Sequence, residues 1–199
     1  MKLLIAVPTL DSVPVEFCES LAGLTKRLAK DGVDFTLKFE SGSLVYLARE
    51  DLGRAAIAGR YSHVLWLDSD MVFTPDLLDA LSFSGKPFVS GIAHSRRGKY
   101  SSCLFKNLTP TVERWTAAEY PRDTFQVAAC GFAAVLMEVK VLEAIHKRGF
   151  PWFLPMDGFG EDVAFCWRAG QVGYQPWAEP GARLGHVGKV TIWPEDEKT

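Results

Sequence analysis

His63-Val64-Leu65-Trp66-Leu67-Asp68-Ser69-Asp70-Met71 is the stretch whose reading decides what kind of sheet this chain builds. Val64 to Leu67 is a continuous apolar run, the pattern of a strand buried on both faces. Two carboxylates, one residue apart, arrive at its C-terminal end. In an open α/β sheet, ligands collect just outside the carboxyl ends of the strands. An Asp-x-Asp there is placed to hold a hard divalent cation, Mg²⁺ or Mn²⁺, which would in turn hold phosphates. A turn beginning at Asp68 and a cap supplied by Asp70 fit the same letters, because Asp favours both positions. The rest of the chain bears on that choice.

Upstream, Lys2 to Val7 reads as a buried parallel strand and Pro8-Thr9-Leu10-Asp11-Ser12 as the loop leaving it. Val15 to Lys30 has helical spacing through Phe17, Leu21, Leu24 and Leu28, and Asp31-Gly32 ends it. Val33 to Phe39 is a second strand. This β-α-β unit predicts a parallel sheet with a crevice at the strand ends. No G-x-G-x-x-G follows the first strand, which argues against a dinucleotide-binding domain. Ser43 is a good N-cap for a helix from about Leu44 to Ala58. Its expected apolar stripe is Leu44, Leu47, Ala48, Leu52 and Ala55, with Asp51 inside the stripe and Arg49 beside it. Either Arg49 and Asp51 form a pair that fixes the helix to the sheet, or they reach the crevice and contact a nucleotide's phosphate and base.

Downstream, Thr74-Pro75-Asp76 predicts a helix over Pro75 to Leu81, and Pro87 to Ala93 another strand. His94-Ser95-Arg96-Arg97-Gly98-Lys99-Tyr100 is either a solvated basic loop or a flap whose arginines, Arg96 and Arg97, close on a diphosphate. Leu108 to Arg122 suggests short strands and turns. Gln126 to Met137 reads as a buried strand, bent or bulged at Gly131, where a missing side chain lets a ligand approach the backbone. Val139 to Lys147 is a helix ended by Gly149. In the apolar loop Pro151 to Gly160, Trp152 is expected to pack and Phe159 to line a pocket. Glu161-Asp162 opens a helix to Ala169, with Asp162, Phe165, Cys166 and Ala169 on one face. Acids there serve either as dipole caps or as functional groups. Tyr174 to Trp177 is expected to be the last strand, and Arg183 to Lys189 brings His186 and Lys189 among small residues.

The 199 residues suit a single domain, expected to span 1–199 with a nucleotide-binding half over 1–93 and an acceptor-side half over 94–199. With 48% hydrophobic and 23% charged residues the composition is globular, and a net charge of −2 argues against a broad nucleic-acid surface. The four cysteines lie far apart without a C-x-x-C and read as buried free thiols. Neither the run at Leu3 to Val7 nor that at Val127 to Met137 approaches the roughly 20 apolar residues a transmembrane helix needs, so no transmembrane segment and a cytoplasmic protein are expected.

Taken together, Val7-Pro8-Thr9, Ser43 to Asp51, Leu67-Asp68-Ser69-Asp70, Gly131-Phe132 through Val141, Gly160-Glu161-Asp162-Val163 with Arg168-Ala169-Gly170, and Gly185-His186-Val187-Gly188 resemble a GT-A fold glycosyltransferase close to family 2. The resemblance extends over roughly the whole length of the chain. It implies a Rossmann-like α/β domain with a mixed, mostly parallel sheet flanked by helices. It further implies a nucleoside diphosphate sugar donor met by Pro8, Thr9, Arg49, Asp51, Asp68, Ser69 and Gly131. Asp70 and His186, with Asp68 supporting, would bind Mn²⁺ or Mg²⁺, and Asp162, with Glu161 beside it, matches the catalytic base of inverting members.

The chemistry breaks a bond between an anomeric carbon and a diphosphate, so a cation clamp plus Lys189 or Arg96 and Arg97 would stabilise the leaving charge. Whether transfer inverts or retains stereochemistry is left open. So is the acceptor: a glycan, a lipid-linked sugar, a protein side chain or a modified nucleic-acid base. Two alternatives stand beside the transferase: a nucleotidyltransferase using the same carboxylates, and a nucleotide-sugar-binding domain that has lost catalysis.

Overall fold

The computed structural model describes residues 1–96, 100–109, 111–188 and 193–196. The first β-α-β unit forms as its periodicity predicts: β1 (Lys2–Thr9), α1 (Val15–Lys30) and β2 (Asp34–Ser41), with β1 and β2 parallel. Then come α2 (Val45–Ala58), β3 (His63–Leu67), β4 (Met71–Val72), α3 (Leu77–Ser82) and β5 (Phe88–Ile92). After these lie β6 (Leu104–Asn107), β7 (Glu113–Arg114), β8 (Phe125–Gln126), β9 (Ala129–Cys130) and β10 (Ala134–Glu138). The chain continues through α4 (Val139–Lys147), α5 (Glu161–Gln171), β11 (Trp177–Arg183) and β12 (Gly185–His186).

The central seven-stranded sheet has the order β2-β1-β3-β10-β5-β11-β8. Strands β2, β1, β3, β5 and β11 run one way and β10 and β8 the other. Alternation along β1 and β3 sorts the core. Leu3, Ile5, Val7, Leu65 and Leu67 face α1 and α3, where they meet Phe17, Leu24 and Leu81. Leu4, Ala6, Val64 and Trp66 face the opposite layer, with Leu52, Val141 and Phe165. Trp66 is fully buried, with its ring 5.1 Å from Phe153 and 6.0 Å from Phe132. Each such large side chain contributes about 1.5–3 kcal/mol by leaving water. This two-sided burial is why Val64 to Leu67, the buried part of β3, are all apolar before Asp68.

The structure departs from the sequence expectations in four places. The run ending at Met137 is two strands, since at Gly131 the chain leaves a small sheet of order β7-β6-β9 and enters the central sheet as β10. The strand expected over Tyr174 to Trp177 begins at Trp177 and runs to Arg183. Helix α3 starts at Leu77, after Asp76 as its N-cap, so Pro75 stands before the helix. The buried side of α2 is Ala48, Arg49, Glu50, Leu52, Gly53 and Ala56, while Leu44 and Leu47 are about half exposed. The helix is thus turned from the expected stripe because Arg49 and Glu50 share its inner face with Leu52, and its N-cap is Leu44, not the expected Ser43.

Two small features close the crevice end of the sheet. Strands β4 and β12 pair antiparallel, with His186 opposite Met71, and the Val187 amide donates to the Asp70 carbonyl at 2.8 Å. A Cβ at Gly91 would lie 2.6 Å from Leu184 and 2.8 Å from the Ala182 carbonyl, so only glycine lets the segment leading to β12 cross β5 this closely.

Candidate functional site

A cavity of about 340 Å³ opens at the C-terminal ends of β1 and β3, where an α/β sheet gathers ligands. Pro8, Thr9, Arg49, Asp68, Ser69, Asp70 and Glu161 line it, as do Gly42, Ser43 and Val45, which were not among the expected site residues. Of the expected donor-site residues, Asp51 is not there. It stands on the outer face of α2, its side chain 55% exposed and paired with Arg54 at 2.5 Å. The buried acid of this helix is Glu50, which accepts the Phe153 amide at 2.6 Å.

Arg49 is 2% exposed and organises the cavity floor. One terminal nitrogen bonds Asp68 at 2.5 Å and the other bonds Glu161, joining the end of β3 to the start of α5. The guanidinium also lies 5.2 Å from the Phe132 ring, an arrangement that favours a cation there. Burial works against its charge, but Asp68, Glu161 and Asp162 outweigh it and hold Arg49 above its ordinary value. Burial pushes Asp68 up to about 6, with Arg49 pulling the other way and Asp70 adding to the rise.

Asp70 is the meeting point of the second group. Its Oδ2 lies 3.2 Å from His186 Nε2 and 2.8 Å from Arg96 Nη1, and the same arginine nitrogen donates to the Val187 carbonyl at 2.7 Å. Burial would raise Asp70, but the His186 hydrogen bond and the charges of His186 and Arg96 hold it below the usual carboxylate range. His186 Nδ1 lies 3.0 Å from the His94 carbonyl. A carbonyl can only accept, so Nδ1 carries a proton and Nε2 is left to face the carboxylate. Two lone pairs would repel there, so Nε2 holds either a proton or a cation shared with Asp70. Burial opposes the proton, while the hydrogen bond and charge of Asp70 favour it and raise His186 above its ordinary value.

Among the described residues no three acidic, imidazole or thiol groups are grouped to hold a metal by themselves. Asp70 and His186 are two donors of the hard and borderline kind. That set fits a Mg²⁺ or Mn²⁺ whose other positions are filled by water and substrate phosphates. The His94 carbonyl behind His186 is the kind of partner that orients a ligating imidazole. Asp68 turns instead toward Arg49. Arg97 and Lys189, expected against the leaving diphosphate, lie outside the described residues.

A second cavity, of about 350 Å³, lies on the other side of the first turn of α5 and is lined by Asp162, Phe159, Cys103, Phe105 and Arg114, among others. Asp162 Oδ1 accepts the Val163 amide at 2.7 Å. A Cβ built at Gly131 would lie 3.1 Å from Cys103 and 3.6 Å from Asp162 Oδ2. Gly131 therefore adjoins Asp162 and Cys103 and does not line the first cavity, because the chain's own side chains fill the space its missing Cβ leaves. Burial and neighbouring Glu161 raise Asp162 above the ordinary carboxylate value. Phe159 lines this cavity and Trp152 packs in the core, its indole donating to the Leu142 carbonyl at 2.8 Å. All four cysteines are unpaired; Cys130 and Cys166 are buried, Cys103 half-buried, and Cys18 exposed rather than buried as expected. No helix among the described residues is long and apolar enough to cross a membrane.

No protein-family model matches the chain. Mannan polymerase complex subunit MNN9 of Candida albicans is 40% identical over 74 residues, which cover 37% of this chain and 20% of that protein. The chain thus matches about a fifth of that relative's length. Among solved structures, A197 from STIV superposes with a TM-score of 0.65 at 21% identity, covering 100% of this chain and 92% of the other. GalNAc-T7, solved with UDP, GalNAc and Mn²⁺, gives 0.61 at 9% identity, covering 94% and 44%. The catalytic domain of Drosophila beta1,4galactosyltransferase 7, in complex with xylobiose, gives 0.57 at 14% identity, covering 98% and 68%. At these identities the likeness is one of architecture, and the architecture of this chain is the GT-A glycosyltransferase fold.

Proposed function

We propose that this protein is a metal-dependent glycosyltransferase that moves a sugar from a nucleoside diphosphate sugar to an acceptor hydroxyl. The observation that carries the reading is the division made by α5: Glu161 belongs to the cavity at the strand ends and Asp162 to the cavity beyond. A transfer between two substrates needs two adjoining sites with a base at their junction. Support also comes from the GT-A fold and from two of its neighbours, one solved with UDP, GalNAc and Mn²⁺ and one with xylobiose.

In this reading Pro8, Thr9, Ser43 and Ser69 border the nucleoside diphosphate. Asp70 and His186 would hold a Mg²⁺ or Mn²⁺, which would supply positive charge against the diphosphate leaving the anomeric carbon. Arg96, already on Asp70, lies where it can add guanidinium donors to the same oxygens. Arg49 lines the donor cavity, and its bonds to Asp68 and Glu161 also set where those acids stand, leaving further N–H donors of the guanidinium for a phosphate. For an inverting displacement the acceptor hydroxyl bonds the anomeric carbon as its proton passes to Asp162 Oδ2, the oxygen not held by the Val163 amide. A cytoplasmic, reducing setting suits the free thiols of Cys130 and Cys166, 3.8 Å apart.

The test is a panel of nucleoside diphosphate sugars, with and without Mn²⁺, read by thermal shift and by slow hydrolysis of the donor. One donor at saturation should raise Tm by roughly 5–10 °C in the presence of metal. Asp70→Ala should remove that shift and lower donor turnover by about a thousandfold. A panel in which no sugar nucleotide binds under either condition overturns the proposal.

A further inference from the structure

The cavity beside Asp162 contains a cation that no described carboxylate neutralises. Arg114, on β7, is exposed at the rim. Its Nη1 donates to the Ser102 carbonyl at 2.7 Å, and its guanidinium lies flat enough to sit 4.3 Å from the centre of the Phe105 ring. Those two contacts fix the group in place without cancelling its charge. On the donor side, by contrast, Arg49 and Arg96 are both committed to acids.

The principal charged neighbours of Asp162 are Glu161 and Arg49. Cys103 lines the same cavity as Arg114 and Asp162 and feels the charge of both. One hydrogen bond to Ser102 uses one of the five N–H donors of a guanidinium, leaving the planar edge that matches the paired oxygens of a carboxylate or phosphate. Phe105 and Phe159 offer ring faces in the same space, and about 350 Å³ is room for a saccharide unit rather than a bare ion. An acidic substrate near Asp162 and Glu161 would be repelled unless a fixed cation offset them.

We propose that the acceptor is a saccharide carrying an anionic group, a carboxylate or a phosphate, and that Arg114 is the residue selecting it. The proposal rests on the reading of Asp162 as the group facing the acceptor. Its chemistry requires Arg114 to hold the anion while a neighbouring hydroxyl points at Asp162.

Acceptor binding can be measured without donor. Saturation-transfer NMR and competition would compare a neutral methyl glycoside, its uronate and its 6-phosphate on the wild type, Arg114→Met and Arg114→Lys. Met keeps the contact with Phe105 and removes the charge; Lys keeps the charge and loses the fork. The anionic sugars should bind the wild type about tenfold more tightly than the neutral parent, as a charge-assisted bond would give. That ratio should fall to within about twofold in Arg114→Met and be partly kept in Arg114→Lys. A tighter uronate identifies an acidic sugar, and a tighter phosphate a phosphorylated one. Equal binding of the neutral parent, an anion preference that survives Arg114→Met, or no binding of any member overturns the inference. Donor binding on the same wild-type protein is scored separately. If sugar nucleotides bind while the anion preference is absent, only this inference falls; if Arg114-dependent anion binding occurs and no sugar nucleotide binds, the transferase reading falls and Arg114 marks a binding site for anionic saccharides that is not an acceptor site.

Discussion

The two cavities that flank the first turn of α5 are built on opposite plans. The one at the ends of β1 and β3 rests on the most regular part of the sheet, and the charges that meet on its floor are matched: Arg49 with Asp68 and Glu161, Asp70 with His186 and Arg96. The other is assembled from β6, β7 and loops, and its Asp162 and Arg114 have no opposite charge directly against them among the described residues. A compensated site is already ordered before its ligand arrives, which suits a polyphosphate that must be gripped in one pose. An uncompensated one carries charge to be met by the substrate, and so discriminates among partners.

The sharpest way to break this contrast is to neutralise one side at a time. Asp162→Asn should lower transfer by about 10²–10⁴-fold while donor affinity stays within about twofold, measured by kcat and by donor titration. A parallel loss of donor affinity would mean the cavities are not separate. Because Asp162 is raised above its ordinary value, and in the proposed role would act as a base only when ionised, the acidic limb of kcat/KM should lie above the usual carboxylate range of about 3.9. The same shift has a stability consequence of fixed sign. A group whose native pKa is raised gives its full contribution below the unfolded value and loses it as pH rises through the native value. Asp162→Asn should therefore raise Tm at pH 7.5 by roughly 1–3 °C, and the gain should fade toward pH 4.

On the compensated side, the next effect is structural. Arg49→Ala leaves Asp68 and Glu161 facing each other without their shared cation, and should cost about 3 kcal/mol in denaturant unfolding. Arg49→Lys should recover part of this, since it restores the charge but cannot span both acids. The smallest effect is expected at Asp51, adjacent in sequence to this machinery and outside it in space. Asp51→Ala should change stability by about 0.5 kcal/mol or less and leave donor affinity unaltered. A large effect there would restore the nucleoside contact expected from the motif.

Much of the fold was legible in the letters. The β-α-β unit, the helix over Val15 to Lys30 and the strand before Asp68 each have a hydrophobic period that only one local structure satisfies. The cavity at the strand ends was legible where chemistry and periodicity coincide, as at Asp68 and Asp70, which line it after a strand buried on both faces. Asp51 was misread because an expected leucine stripe set the phase of α2, whereas the actual inner face accepts Arg49 and Glu50, whose charges are satisfied from distant parts of the chain.

Local pattern thus determined which segments are strands and helices and which ends of them carry acids, because backbone sterics and burial act over a few residues at a time. Tertiary structure alone decided who meets whom. The ladder between β4 and β12 carries His186 across the sequence to Asp70, and Gly91 permits the crossing that leads there. Neighbouring Glu161 and Asp162 end in different cavities because consecutive residues on a helix point about 100° apart, and only the surrounding elements settle what each direction faces.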